Sequence, residues 1–314
     1  MQEVHTGDTQ QIELAIYKNG VLTNADGAVT VTVYDADDST NTVVVTGAAV
    51  SEEPSGMYSY QLTPSVTYIN RVLRVLWEYD IDSTPTNSTM FVEVVTPYAT
   101  VSDIIDYYGF GTKPNDPNYK SEEMIANMER LSRTIIDNYT LQKFGKRQGS
   151  QEVFGDGSDA IWITEPMLTI DKMYENSNLV IDNTASPVFN NFGFPVELTQ
   201  TNKTIRIVNA GWDIRYDNNI DPTVLYYGRF RNHSRYRFEG LIGYNYVPQD
   251  IKLCAILLVG DLLSHDAAWR TKYLKKVGMS EVTFEMSKGA FNGTGNLLVD
   301  NILDTYRNVG IVVI

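Results

Sequence analysis

The chain has 314 residues, 43% of them hydrophobic and 20% charged, which is enough to bury a core and long enough that two domains are expected. A formal charge of -14 argues against static binding of nucleic acid, whose phosphates are neutralised by Lys and Arg. A single cysteine, Cys254 in "KLCAILLV", excludes an internal disulfide framework and reads as an inert core thiol. No apolar run reaches the roughly 18 residues of a membrane span, and "MQEVHTGDTQ" has no basic stretch leading into an apolar one, so neither a membrane partner nor a secretory signal is expected. The charge is unevenly placed. Residues 1–97 carry 13 acidic residues against Lys18, Arg71 and Arg74, whereas residues 98–314 carry 26 acidic and 22 basic ones, which implies two segments with different surfaces.

In chain order, residues 8–97 read as short strands. "TQQIELAIYKNG" ends in an Asn-Gly turn, and "AVTVTVYDAD" alternates apolar and polar positions before the turn "DDSTN". "NTVVVTGAAV", "GMYSYQLTP", "RVLRVLWEYDI" and "TMFVEVVTP" supply four more strands, with Trp77 and Tyr79 as core aromatics. This spacing is that of a compact antiparallel β-sandwich, Ig-like in architecture although no Cys-Trp-Cys framework is present, and Pro97 marks its end.

Beyond Pro97 the period of the apolar pattern changes from two to about 3.6. Helices are expected at about 101–109, 121–140, 248–274 and 295–307, with a β-rich insertion at about 150–247. Ser102 or Asp103 is the expected cap of the first, which "YGFGTKPNDPN" breaks. The second, headed by Ser121, places Met124, Met128, Leu131, Ile135 and Tyr139 on one stripe with Arg130, Arg133 and Asp137 off it, and Gly145 fits its termination. In the third, Pro248 suits the first turn and Asp250 the positive helix end, while Ile251 to Leu263 hold only Lys252 and Asp261 as charges. Such a helix needs cover on more than one side, from its own chain or from a second subunit. The last carries Leu298, Val299, Ile302, Leu303 and Tyr306 on one stripe, after a strand "EVTFEM" and a turn "NGTG". The fold class is α+β: a sandwich at residues 1–97, then a helical domain at 98–314 that carries the β-rich insertion.

No active-site motif is present. "GFGTKP" and "FNGTGN" pair glycines but lack the pattern and the strand-to-helix setting of a phosphate cradle. His5, His233 and His265 have no partners at ligand spacing, and Ser264, His265 and Asp266 are adjacent on a helix and point in different directions. Asp35, Asp37, Asp38 and Asn41 offer calcium-type oxygens without the glycine and distal glutamate of an EF-hand, so a solvated acidic turn is the plainer reading. The Asn-x-Ser/Thr triplets carry no weight without a signal peptide. The chain is therefore expected to be no enzyme and to need no cofactor or metal. Two surfaces stand out as candidates for partner binding. In "YYGRFRNHSRYRFEG", Arg229, Arg231, Arg235 and Arg237 share one parity and Phe230, Tyr236 and Phe238 the other, so a hairpin would show a basic face opposite an aromatic one, open to solvent, to an acidic partner or to passing DNA. At the end of the sequence, Ile311, Val312, Val313 and Ile314 suit a strand, paired in its own domain with "EVTFEM" or added to a sheet edge elsewhere.

The order of "TVSDIIDYYG", "ERLSRTIIDNYTLQKF", "GYNYVPQDIKLCAILLV", "SEVTFEM" and "LLVDNILDTYR" resembles the head-to-tail connector (adaptor) proteins of tailed bacteriophages over about two-thirds of the chain. The resemblance implies a virion structural protein of the neck, assembled in the host bacterial cytoplasm. It would form a ring of about twelve copies, docked on the portal protein above a downstream neck or tail protein, with DNA passing through without sequence-specific binding. The sandwich lies outside that pattern, as an appendage. A tail or surface binding module acting through the sandwich is the alternative.

Overall fold

The computed structural model describes residues 2–38, 40–53, 56–111, 113–183, 196–199, 202–207, 229–263, 276–279, 282–285 and 293–307. It is a mixed α+β chain that divides into two compact units, Met1–Thr96 with Gly145–Gln148, and Pro97–Phe144 with Gly149–Ile314.

In the first unit, β1 (Gln2–His5), β2 (Gln10–Ala15), the short pair β3 (Tyr17–Lys18) and β4 (Val21–Leu22), β5 (Thr30–Asp35), β6 (Val43–Ala49), β7 (Ser51–Glu53), β8 (Met57–Leu62), β9 (Arg71–Ile81) and β10 (Thr84–Val95) follow one another. They make a five-stranded sheet in the order β1-β10-β9-β5-β6 and a three-stranded sheet β2-β8-β7. One apolar core joins the two sheets: Ile12 and Leu14 of β2 and Leu62 of β8 meet Val31, Val33, Leu73, Val75, Trp77 and Val92 of the larger sheet. The alternation along β9, with Leu73, Val75 and Trp77 fully buried, is the period-two pattern of a sheet with one dry face. Tyr79 only packs against the edge of this core. The Asn-Gly turn forms as expected, with Asn19 at φ 53° and Gly20 at φ 80°, both in the left-handed region that a two-residue hairpin demands. One strand was not expected. β1 pairs with β10 in parallel, Gln2 to His5 against Val92 to Val95, so the sandwich is not wholly antiparallel. Four residues with a single buried position, Val4, give too short a pattern to be read as a strand.

In the second unit, α1 (Val101–Tyr108) is capped by Thr100, two or three residues before the expected Ser102 or Asp103. The Thr100 hydroxyl accepts from the Asp103 N–H at 3.1 Å and the Asp103 carboxylate accepts from the Thr100 N–H at 3.1 Å, a reciprocal capping box, and Gly109 closes the helix at φ 62°. α2 (Glu122–Thr140) starts at the Ser121 cap, as expected, but it ends at Leu141, left-handed at φ 56°, and not at Gly145. Its buried face is Ile125, Glu129, Ser132, Arg133, Ile136 and Thr140, rotated by one residue from the expected stripe. Met124, Met128, Ile135 and Tyr139 flank that face, Leu131 is exposed, and Arg133 is inside. The physical reason is that Glu129 and Arg133 lie 3.8 Å apart as an ion pair and the Ser132 and Thr140 hydroxyls donate to the Glu129 and Ile136 carbonyls at 2.8 Å, so this face buries polar groups that a hydrophobicity count treats as surface.

α3 (Gln249–Leu263) begins just after Pro248, and the rest of the range expected to be helical, 264–274, lies outside the described residues. Beyond the exposed first residue, Gln249, no residue of this helix is exposed, because α1, α2 and α4 (Leu297–Leu303) pack around it. The cover that its sequence demands therefore comes from its own chain. α4 is shorter than expected, seven residues capped by Asn296, with Val299 and Leu303 buried and Leu298 exposed. The β-rich part contains β11 (Arg147–Phe154), β12 (Ala160–Trp162), β13 (Lys172–Glu175), β14 (Asn178–Asp182), β15 (Val196–Leu198), β16 (Thr204–Ile207) and β17 (Arg235–Ile242), in sheets ordered β11-β17-β13-β14 and β12-β16-β15. Its own core holds Ile161, Met173, Ile205, Phe230, Tyr236 and Phe238. β18 (Lys276–Met279) and β19 (Val282–Glu285) form a hairpin.

All fifteen fully packed residues of the sandwich core come from residues 4–94. A fragment of residues 1–97 is expected to unfold cooperatively, with the buried Trp77, its sole tryptophan, emitting in the blue and shifting red on unfolding. Trp77→Ala should cost about 3–5 kcal/mol. Solvent-exposed emission from the native fragment would show that the core needs the remainder of the chain.

Candidate functional site

The four arginines do not share one hairpin. Arg229 stands in an exposed bend, Arg231 opens a turn that runs to Ser234, and only Arg235 and Arg237 lie on β17. The turn is fixed by Gly155, whose N–H donates to the Ser234 carbonyl at 2.8 Å and whose carbonyl accepts from the His233 N–H at 2.9 Å. A Cβ at Gly155 would come within 2.0 Å of the Arg231 carbonyl oxygen, so only glycine allows this approach. The expected parity holds within β17: Tyr236 and Phe238 are fully buried with Phe230, while Arg235 and Arg237 face the other way.

The strands beside β17 supply acidic partners. Arg235 Nε donates to Glu152 Oε2 at 3.0 Å, Arg237 lies 3.1 Å from Glu239 and stacks over the Tyr174 ring at 4.2 Å, and Arg231 Nε is 3.8 Å from Glu175. Glu175 is buried and also accepts from the Tyr236 hydroxyl at 3.0 Å. Burial raises that phenol to about 12, so it stays a neutral donor. Three of the four guanidinium groups are thus engaged within the chain. Ile311, Val312, Val313 and Ile314 lie outside the described residues, as do Ser264, His265 and Asp266.

A second group of polar side chains surrounds α3, unseen as a set in the sequence. The Tyr98 hydroxyl donates to Asp137 and accepts from the Phe144 N–H at 3.0 Å, and the Tyr98 N–H donates to buried Glu129 at 2.8 Å. The Tyr306 hydroxyl donates to both Asp250 oxygens at 2.9 and 2.7 Å, Tyr139 donates to Asp304 at 2.8 Å, and Tyr108 donates to the Ile256 carbonyl at 3.2 Å. Tyr98, Phe144, Tyr244 and Tyr306 form one aromatic group with ring centroids 5.3–5.6 Å apart. Burial first, and neighbouring carboxylates second, raise Tyr98 and Tyr306 well above the usual phenol value and bring Tyr139 and Tyr244 to about 12. Burial likewise lifts the Cys254 thiol to about 12. Every shift keeps the proton on, which is the opposite of what a base or nucleophile at neutral pH requires.

The remaining motifs close on themselves. Asp35 pairs with Arg71 at 3.2 Å, Asp37 accepts from the Val72 N–H at 2.8 Å, and Asp38 is held at about 2 by the hydroxyls of Thr40 and Thr42. Among the described residues no group of three or more His, Cys, Asp or Glu could hold a metal ion. In "FNGTGN" the Thr294 N–H and hydroxyl donate to Asp300 at 2.8 and 2.7 Å, so the loop serves α4. In "GFGTKP", Gly109 is the cap of α1 and the Lys113 N–H is taken by Asp116 at 3.2 Å. No described helix is long and apolar enough to cross a membrane.

No protein-family model matches the chain, and no curated protein matches it. Among solved structures, a chimeric titin Z1Z2-Z1Z2 tandem functionalized with a GRGDS peptide from fibronectin is similar at 9% identity, over 66% of this chain and 80% of that one, with a TM-score of 0.24. A similarity of that size carries no argument about fold or function.

Two measurements separate a structural role from a partner-binding one. Arg231→Ser removes the cation beside buried Glu175 and is expected to cost about 1–3 kcal/mol, whereas Arg235→Ser, at an exposed pair, should stay within about 0.5 kcal/mol. Equal melting temperatures for the two variants would show that the Glu175 pair contributes nothing to the fold. The second measurement is alkaline. Tyrosines with a folded pKa above the ordinary phenol value of 10.0 contribute stability that is fully present below pH 10 and is lost as pH rises through the folded values. The melting temperature should therefore fall steadily between pH 10 and 12, and less so in Tyr139→Phe. A flat profile over that window would contradict the burial of these phenols.

Proposed function

We propose that the chain is a virion structural protein of a tailed bacteriophage, forming a ring between the portal and the tail or neck around the passing DNA. The observation that supports this most is the convergence of the segments carrying the connector resemblance. Ile104 from "TVSDIIDYYG", Ile136 and Phe144 from "ERLSRTIIDNYTLQKF", Ile251, Cys254, Leu258 and Val259 from "GYNYVPQDIKLCAILLV", and Val299 and Leu303 from "LLVDNILDTYR" share one apolar core, so four of the five segments meet there. Scattered local similarities would have no reason to pack together. α3 needs no second subunit to cover it, so the neighbour contacts of a ring belong to other surfaces. Exposed Leu131 on α2, and Leu297 and Leu298 on α4, are apolar groups that a neighbouring copy would cover.

The copy number that the resemblance implies is about twelve, a closed heterologous ring whose two contact faces differ. The near-balanced charge of residues 98–314, 26 acidic against 22 basic, suits a channel wall past which DNA slides. We read the sandwich as an Ig-like appendage. Two sheets, a buried Trp77 and an N-terminal strand that lies beside the last strand support that architecture. The protein would then sit in the neck of the particle, assembled in the bacterial cytoplasm.

Electron microscopy of the full chain mixed with its cognate portal is the direct test. The expected result is an added ring of density on one face of the portal, weakened by Leu131→Ser with Leu298→Ser at unchanged monomer stability. Portal particles that gain no density at saturating protein would reject the assignment.

A further inference from the structure

The sandwich has a surface that its own fold leaves uncovered. The β3–β4 hairpin ends the edge strand β2 and carries Tyr17 at 62%, Val21 at 66% and Leu22 at 36% exposure. Tyr17 stands opposite Leu22 and Lys18 opposite Val21, so Tyr17 and Leu22 share one face of the hairpin and Val21 lies on the other. An isolated pair of two-residue strands is marginal in water, and here it is held from outside. The Thr23 N–H donates to the Ile16 carbonyl at 3.0 Å, and Lys18 Nζ reaches Asp82 at 2.7 Å in the turn between β9 and β10. That turn is tied in its own right, by the Ser83 N–H donating to Asp26 at 2.7 Å and the Asp26 N–H to the Asp80 carbonyl at 3.0 Å. The apolar tip is therefore presented in a fixed shape, which removes much of the ordering cost of binding.

The charge around the tip indicates its occupant. Asp26, Glu78, Asp80 and Asp82 are all exposed, and the first, third and fourth are joined to the tip by the bonds just described. Residues 1–97 hold three basic side chains, and each is used internally: Lys18 on Asp82, Arg71 on Asp35, and Arg74 stacked over the Tyr34 ring at 4.3 Å. The field around the tip is thus almost purely negative. A second copy of the same tip would be repelled, whereas a protein surface with apolar side chains set among lysines and arginines would be drawn in and then covered.

We propose that the β3–β4 hairpin is a docking element for a partner protein whose contact surface places apolar side chains among lysines and arginines. The proposal rests on the sandwich alone and stands apart from the ring reading. The test uses the full chain and three immobilised helical peptides of about 18 residues, built from Leu and Lys, Leu and Glu, or Ser and Lys. The Leu/Lys peptide should bind at least tenfold more tightly than either control, and lose about tenfold when salt is raised from roughly 0.05 to 0.5 M. Tyr17→Ser with Val21→Ser should lose at least tenfold with tryptophan emission and melting unchanged, because both positions are exposed. Wild-type affinity in that variant would reduce the effect to bulk charge and overturn the proposal, as would equal binding of the Leu/Glu peptide. Concentration-dependent self-association that the same variant abolishes would overturn it too, by making a second copy the occupant.

Discussion

The helical unit depends on covering α3. A helix with Ile251, Cys254, Ala255, Ile256, Leu258, Val259 and Leu263 buried has no polar face to give to water, so α1, α2 and α4 must all be brought against it. One glycine makes room for the Tyr108 side chain of α1. At Gly260 a Cβ would stand 1.9 Å from the Tyr108 hydroxyl oxygen, so any larger residue would push α1 away and break the bond from Tyr108 to the Ile256 carbonyl. Mid-helix glycine costs about 1 kcal/mol relative to alanine, a cost offset here by packing that alanine would forbid.

The same cover explains where the tyrosines of the unit stand. The helices around α3 bring ring surface to the core and a hydroxyl to its margin, where Asp137, Asp250 and Asp304 receive it. Tyr98 joins the chain entering α1 to both the middle and the end of α2, through Glu129, Asp137 and the Phe144 N–H. These are positioning bonds between neutral donors and ionised acceptors, about twice as strong as neutral pairs and most useful where helices must keep a fixed angle. A protein that uses its buried acids in this way has committed them to shape.

How far the sequence could be read follows from the same physics. Strand and helix periodicity marked the long elements, since β9 alternates cleanly and α3 is apolar throughout, whereas β1, β7, β11, β13 and β15 were not read individually. The stripe of α2 came out one residue off because Glu129, Ser132 and Arg133 are buried as partners, and a pattern of apolar letters cannot register that. β1 was missed because its pairing with β10 joins residues about ninety positions apart. For the arginines, alternation gave the right face of β17, but Glu152 and Glu175 come from strands 50 residues or more away in sequence, and only folding sets them beside Arg235 and Arg231. What was legible is local. The ion pairs that decide whether a basic face is free are not.

Charge placement links the two units to their separate uses. In residues 98–314 cations nearly balance anions, and where the structure shows them they are often paired across strands or helices, as Arg235 is with Glu152 and Lys252 with Asp103 at 2.8 Å. Such a surface neither attracts nor repels a polyanion strongly. Residues 1–97 keep their cations for internal work and leave most of their 13 carboxylates to solvent or to local turns. Exposed acids contribute little to stability at any one site, and their mutual repulsion weakens the compact state slightly. An excess held at that cost, next to apolar side chains fixed in a clamped hairpin, makes physical sense if the field acts at a distance on something positively charged. The sandwich core is built from Trp77 and its apolar neighbours, so the acidic surface is not what holds it together.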